Sequence, residues 1–242
     1  MNKIKSAIVL GIATLTIAKQ PLQAAEPILE EHVKTKPKFS VGADLGFSTK
    51  YMLKGFTLSE TPVMQPTPYV KYGPFTATGI FNYDTRTTSF NEADAFFDIT
   101  LPLKPLTKKL SLSTGYNFLT FPNTRFHHTH EIYSAISYDT LSKPSLRVIR
   151  DISQGSGYYT ELSIKHDLPI SKSISISGNA LIAHNHHLNI DSSGLSHATI
   201  GLATPFSIGK GFSITPNINY QYSLNRDFQN ELWGGVIFSY FH

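Results

Sequence analysis

The feature that most constrains this chain is a strict alternation of apolar and polar side chains, clearest in residues 39–50. Phenylalanine, valine, alanine and leucine take one parity there, and serine, glycine, aspartate and lysine take the other. A period of two residues is typical of a β-strand with one apolar and one polar face. In a soluble sandwich the apolar face packs against a second sheet, whereas in an outer-membrane barrel it meets lipid and the polar face meets the lumen.

Twelve such segments follow one another, each close to the ~9–11 residues that a tilted strand needs to cross a bilayer. They lie near residues 38–51, 63–72, 74–84, 91–102, 108–119, 130–139, 145–152, 157–166, 172–183, 195–204, 211–222 and 231–241. Short connections rich in Lys, Pro and Gly alternate with longer or more polar ones, as in outer-membrane barrels. The pattern predicts an all-β fold, a transmembrane antiparallel up-and-down β-barrel of about 12 strands that occupies residues 38–242.

Residues 1–25 form a separate segment. Two lysines open it, a run of small and apolar residues follows, and small residues lie near its end. This is the form of a secretory signal peptide, and the segment is too short for a membrane anchor. We expect cleavage after Ala24 or Ala25, with Ala18 as a further site. Residues 26–37 are polar and lack either period, which predicts a periplasmic lead-in.

The composition excludes several classes of protein. The chain has no cysteine, so it has neither disulfides nor a thiolate metal site. Charged residues make up 16%, below the roughly 25% of a typical soluble domain, while 16 Phe and 12 Tyr make the chain rich in aromatics. The formal net charge is +4, and residues 1–25 contribute three lysines and no acid, so the remainder carries +1. This balance gives no case for a nucleic-acid partner.

Aromatic side chains near the strand ends are expected to form girdles at the two membrane interfaces. They are Tyr51, Tyr83, Tyr116, Phe118, Tyr138, Tyr158 and Tyr240. The last strand ends in Phe241, one residue before the terminal His242. Because outer-membrane barrels present an aromatic-ended last strand to the barrel assembly machinery, we expect that machinery and outer-membrane lipid as partners. The expected location is the outer membrane of a Gram-negative bacterium, with the short turns in the periplasm.

The stretch from Tyr51 to Phe56, with Ser59 and Gln65 downstream, resembles the TorF-type porin family. That family carries a Tyr, two residues, a basic residue and a Gly near the end of its first strand, followed by a Ser and a Gln. Here Lys54 stands where Arg is usual. The resemblance covers the first hairpin and, further along the chain, only the strand pattern. It implies an outer-membrane barrel with a pore.

Ten charged residues on the polar parity are the predicted pore lining. They are Asp44, Lys50, Lys71, Asp84, Asp94, Asp98, Arg147, Asp151, Glu161 and Lys165. Such charges cost free energy when they are buried, unless they pair with one another or meet water. Their mixed signs predict internal ion pairs, Arg147 with Glu161 above all, and not a strongly anion- or cation-selective pore. A purely structural packing role is the alternative.

Two groups of side chains could carry other chemistry. The first is a set of histidines expected on the extracellular side, and solvated rim residues are favoured over a metal site because few acids share their spacing. They are His127, His128, His130, His184, His186 and His187. The second is a nucleophile with its base. Ser196 and His197 are adjacent and should therefore face opposite ways, while Ser134 and His130 share a face but lack an orienting acid or amide.

These observations favour a small passive channel for small polar solutes, with no catalytic residue, no metal and no cofactor. An outer-membrane barrel with a lipid-hydrolase or a purely structural role is the alternative. A soluble periplasmic β-domain is the third interpretation. Fold alone does not decide between these functions.

Overall fold

The structure, a computed structural model, describes residues 38–104, 106–155, 157–188 and 192–242. The predicted signal peptide, residues 1–25, and the predicted lead-in, residues 26–37, lie outside the described residues. In chain order the strands are β1 (Phe39–Ser48), β2 (Tyr51–Leu53), β3 (Phe56–Ser59), β4 (Val63–Tyr72), β5 (Phe75–Asp84), β6 (Ser89–Pro102), β7 (Leu110–Thr120), β8 (Thr129–Tyr138), β9 (Ser145–Asp151), β10 (Tyr158–Pro169), β11 (Ser175–His186), β12 (Ser193–Ala203), β13 (Phe206–Gly209), β14 (Phe212–Ser223) and β15 (Glu231–Phe241). The described ranges contain no helix that is long and apolar enough to cross a membrane.

Twelve of these strands form one closed antiparallel barrel, which leaves out β2, β3 and β13. Each wall strand pairs with the wall strand that follows it in the chain, and β12 continues the wall by pairing with β14. The first and last strands close the barrel, with Gly42 opposite Phe241 and Ser48 opposite Gly235. The predicted all-β, antiparallel, up-and-down barrel of about 12 strands is confirmed.

The alternation of the sequence becomes an inside and an outside of the barrel. On β14 and β12 the outward side chains are apolar and exposed, as in Ile218 at 52% and Ile200 at 61%. The inward side chains are small or polar and closed off from solvent, as in Thr67, Asn82 and Asn117, each at 0%. An apolar outer surface with a polar interior is the arrangement of a barrel in a lipid bilayer.

The two ends of the barrel differ in their connections. The short connections, such as residues 73–74 and 170–174, lie at one end, here called the short-turn end, and the longer ones lie at the opposite loop end. Most of the predicted girdle residues, including Tyr116 and Tyr158, are on the outward parity and partly or fully exposed. Tyr51 is an exception to the prediction, because it is only 3% exposed and lies on β2, which is not a wall strand.

The connection between β1 and β4 departs from the expected surface loop. It contains the β2–β3 pair, a separate two-stranded sheet whose β2 residues are all buried. The contacts of this hairpin run to several strands around the barrel wall, so it lies inside the lumen. It is the part of the fold that the alternating pattern did not predict.

Candidate functional site

The hairpin inside the barrel is built around a tight turn at Lys54 and Gly55. These two residues have φ angles of 46° and 89°, and they join Leu53 on β2 to its partner Phe56 on β3. Positive φ at both central residues is the geometry of a type I′ turn, which matches the twist of a two-stranded hairpin. The turn therefore makes a narrow tip that can pass into the barrel.

Apolar packing seats one side of the hairpin against the wall. Tyr51 and Leu53 belong to one buried cluster with inward-facing side chains from the following wall strands. The other members of this cluster are Val63, Ile80, Phe96, Leu119 and Phe121. Ile80, Phe96 and Leu119 are large apolar residues on the parity that is otherwise polar, and the hairpin covers them. Burying this surface favours the folded-in position of the hairpin.

The tip of the hairpin reaches the far wall. The Lys54 ammonium group donates a hydrogen bond to Glu131 on β8, and the two residues are 2% and 0% exposed. The carbonyl oxygen of Gly55 accepts a hydrogen bond of 2.8 Å from Nε2 of Gln221 on β14. A Cβ atom at Gly55 would lie 2.3 Å from Nδ1 of His197, so only glycine fits there. The tip is thus held on two sides by wall strands that are distant in sequence.

Hydroxyl groups bind the rest of the hairpin to carboxylates of the wall. Thr57 donates to Glu231 over 2.9 Å, Ser59 donates to Asp84 over 2.8 Å, and the Tyr51 hydroxyl donates to Glu92. Together with the partner of Lys54, these acids form a ring around the hairpin that we call the carboxylate collar. The collar consists of Asp84, Glu92, Glu131 and Glu231, from β5, β6, β8 and β15.

Lys50 supports the hairpin from its base. Its Nζ atom lies 2.6 Å from Oε2 of Glu231 and 2.8 Å from Oε2 of Glu60. Hydrogen bonds to Glu231 and then to Glu60 raise the pKa of the Lys50 ammonium group above its usual value. Glu231 therefore accepts from both the base of the hairpin and the Thr57 hydroxyl.

The ten predicted pore-lining residues occupy three kinds of position. Asp44, Asp84, Asp94, Asp151 and Glu161 are buried in the interior, with exposures of 2% to 7%. Asp98, Arg147 and Lys165 share the inward parity at partial burial, and Lys50 lies at the base of the hairpin. Lys71 is exposed near the short-turn end of β4. Only Asp84 of this set belongs to the carboxylate collar.

Sequence reasoning missed most of the groups that touch the hairpin. Glu92, Glu131 and Glu231 are buried wall residues on the inward parity, and Lys54 is the hairpin tip. The three acids could have been found, because they share the parity of acids or other polar residues on their own strands. Lys54 could not be placed in the lumen by parity, since it lies in a turn.

Arg147 and Glu161 are directly opposite each other on β9 and β10, as the register prediction requires. Their side chains do not form an ion pair among the described residues. The guanidinium carbon of Arg147 lies 4.4 Å from the centre of the Tyr133 ring, and Nε of Arg147 and Oε2 of Glu161 have no hydrogen-bond partner. The expected extension also differs, because Lys165 lies 3.4 Å from Asp167.

The prediction that Ser196 and His197 face opposite ways is wrong. The Ser196 hydroxyl lies 3.1 Å from Nδ1 of His197, and both residues are buried. The cause is an irregularity in the β11–β12 ladder, which pairs Ala183 with His197 and the next residue with Leu195, so that Ser196 is left out of the alternation. The same hydroxyl donates to the Ala183 carbonyl over 3.2 Å.

The histidines flagged in the sequence stack on aromatic neighbours near the loop end. The His130 ring stacks on Phe118 with centroids 4.9 Å apart, and the His186 ring stacks on Tyr158 at 4.6 Å. Among the described residues, no cluster of three or more His, Cys, Asp or Glu side chains has the geometry to hold a metal ion. These stacked rings belong to the aromatic surface of the barrel rim.

No protein-family model matches the chain, and no curated protein sequence matches it. Solved structures do match. The NanC porin aligns with a TM-score of 0.54 and 8% sequence identity, over 83% of this chain and 98% of that one. An outer-membrane channel from Pseudomonas putida F1 aligns with a TM-score of 0.50 and 7% identity, over 90% of this chain and 99% of that one. At such low identity the likeness concerns the fold, which is that of outer-membrane β-barrels.

Proposed function

We propose that this protein is a passive channel of the bacterial outer membrane that admits small polar solutes. The observation that carries the proposal is the lumen, a polar interior in a closed barrel whose outer surface is apolar. The β2–β3 hairpin narrows this lumen near the loop end, so only small solutes pass beside it. The short-turn end then faces the periplasm and the loop end faces the outside.

The partners follow from the same proposal. Outer-membrane lipid surrounds the apolar belt, and the barrel assembly machinery of a Gram-negative cell recognises β15, which ends at Phe241. No catalytic step is part of the proposal. The Ser196 hydroxyl, which lies beside His197, is fully buried and already hydrogen-bonded to a carbonyl, so it does not support a lipid hydrolase. The resemblance to TorF-type porins, which rests mainly on the hairpin residues, stays a prediction.

Solute flux tests the proposal. The full chain is reconstituted in liposomes, and swelling in small sugars or amino acids is compared with that of protein-free vesicles. A variant replaces residues 51–59 by a short Gly-Ser linker. Its control replaces a short-turn connection, such as residues 170–174, by a linker of the same kind. We expect flux in the native protein, faster flux without the hairpin, and no change in the control. Absence of flux both with and without the hairpin, in folded barrels, would contradict a channel.

A further inference from the structure

The carboxylate collar has more acidic than basic side chains. Two basic groups of the hairpin region meet it, Lys50 at Glu231 and Lys54 at Glu131. The other two members, Asp84 and Glu92, have no basic partner among the ion pairs of the described residues, and they accept from hydroxyl groups of Ser59 and Tyr51 instead. The narrowed part of the lumen therefore has an excess of carboxylates.

One oxygen of the collar has no hydrogen-bond donor among the residues that the structure describes. Oε1 of Glu92 is buried and has no hydrogen-bond donor, although the residue is only 1% exposed. Oε2 of Glu161, on β10, is also buried and without a hydrogen-bond donor among the described residues, and Glu161 is 3% exposed. A buried oxygen without a donor is uncommon, because native structures satisfy nearly all such atoms with protein or water. These two atoms can accept from a hydrated cation or an ammonium group that enters the lumen.

The same imbalance extends along the interior. Within the described residues, the inward parity of the wall and the hairpin region carry ten carboxylates, and six basic side chains share that parity, lie on the hairpin or pair with one of these acids. The carboxylates are Asp44, Asp84, Glu92, Asp94, Asp98, Glu131, Asp151, Glu161, Asp167 and Glu231, and the basic residues are Lys50, Lys54, Lys71, Lys143, Arg147 and Lys165. The charges predicted from sequence were nearly balanced, and the balance changed because the structure added four acids and two lysines.

Basic residues outside the lumen do not reverse this bias. The lysines of the short-turn connections, for example Lys108 and Lys172, are exposed to solvent, and so are Arg86, Arg125 and Arg226 in the connections at the loop end. Salt screens exposed charges over about 8 Å at physiological ionic strength, so these residues act weakly on an ion inside the constriction. Charges in a narrow, low-dielectric passage are screened much less and decide which ion crosses.

We infer that this channel selects cations, with the carboxylate collar as its filter and small inorganic or ammonium-bearing cations as its preferred solutes. The inference rests on the proposed channel function and adds the class of solute. A ring of carboxylates around a constriction lowers the energy of a cation there and raises that of an anion. The hairpin matters because it brings the collar close to the path that the ion takes.

Ion selectivity in planar bilayers tests the inference. The purified full chain is inserted in a lipid bilayer under a KCl gradient, and the potassium-to-chloride permeability ratio is taken from the reversal potential. We expect potassium to be preferred several-fold. In Asp84→Asn the ratio should fall toward one, because a collar carboxylate that has no basic partner among the described residues loses its charge. Asp139→Asn, a change of the same kind at an exposed position in a short-turn connection, should leave the ratio unchanged.

A second measurement needs no variant. Raising the salt shortens the screening distance to about 3 Å at 1 M, so the preference of the native channel should weaken as ionic strength increases. A heat-dependent shift on gels shows whether each variant is folded. Conducting native channels with equal or greater permeability to chloride would overturn the cation inference and leave the channel intact. A folded protein that does not conduct at all would overturn the channel itself, and the cation inference with it.

Discussion

Lys54 and Glu131 form an ion pair inside the barrel although 77 residues separate them in the chain. Both side chains are almost completely buried, at 2% and 0% exposure. Within the described part of the chain, the carboxylate accepts one further hydrogen bond, a long one of 3.4 Å from Nδ2 of Asn117. The pair therefore fixes the hairpin tip to the far wall, and each partner depends on the other to offset the cost of its burial.

Replacing Lys54 by Met should destabilise the barrel by about 3–5 kcal/mol, since it leaves the Glu131 carboxylate buried without a counter-charge. The expected result is a lower thermal unfolding temperature of the detergent-solubilised protein. Adding Glu131→Gln should recover part of the loss, because no uncompensated charge then remains. If the double variant loses as much stability as the two single variants lose together, the two side chains do not act as a pair.

Gly55 should be less tolerant of a side chain than Gly209, although the two have nearly the same backbone conformation. Their φ angles are 89° and 88°, so alanine costs about 1–2 kcal/mol of left-handed strain at either position. A Cβ atom at Gly55 would collide with His197, whereas nothing lies within 4 Å of the equivalent atom at Gly209. Gly55→Ala should therefore lower the unfolding temperature further and increase conductance by displacing the hairpin.

Gly209→Ala is the matched control for that experiment. It introduces the same strain in β13, far from the lumen hairpin, and it should leave conductance unchanged. Equal losses of stability with equal conductance in the two variants would mean that the hairpin tip is not packed against the wall as described.

The wall of the barrel could be predicted from sequence because each strand carries its own evidence. A residue such as Ile218 or Asn219 takes a side from its parity alone, and a single wrong residue does not alter the count of strands. The hairpin position could not be predicted in this way. The apolar residues on which it packs come from four successive wall strands, and this surface becomes recognisable only when the strands are placed side by side.

Two local failures have the same origin. Tyr51 lies at the end of an alternating segment and therefore resembled an interfacial girdle residue, but the chain has already turned into the lumen there. Ser196 and His197 share the interior because one residue is left out of the ladder opposite Ala183. An irregularity of one residue reverses the facing of a side chain, and periodicity does not locate it.

The outward and inward faces of β14 can be tested at neighbouring positions in the middle of the strand. Ile218 is 52% exposed on the apolar side, and Asn219 is 3% exposed on the lumen side. An arginine on the lipid face near the middle of the membrane costs about 2–4 kcal/mol, whereas an inward position keeps the same charge out of lipid. Ile218→Arg should therefore reduce the yield of the heat-modifiable folded form much more than Asn219→Arg. Equal yields would contradict the assigned facing.

The facing pair of Arg147 and Glu161 gives a last prediction. They are opposite each other in the ladder, and the guanidinium stacks on Tyr133 without an ion pair to the carboxylate. Facing opposite charges stabilise a sheet by roughly 0.2–1 kcal/mol, and the ring contact adds a similar amount for the arginine alone. Arg147→Met should therefore lower the unfolding temperature more than Glu161→Gln does.

The double variant separates the two contributions. If the charges attract each other across the ladder, the double variant Arg147→Met with Glu161→Gln should lose less stability than the two single variants lose in sum. A further cycle with Tyr133→Leu should show coupling to Arg147 and none to Glu161, because the ring touches only the guanidinium in this pair. Strictly additive losses in both cycles would mean that neither the charge pair nor the stacked ring stabilises this wall, and that Arg147 is held by hydration of the lumen alone.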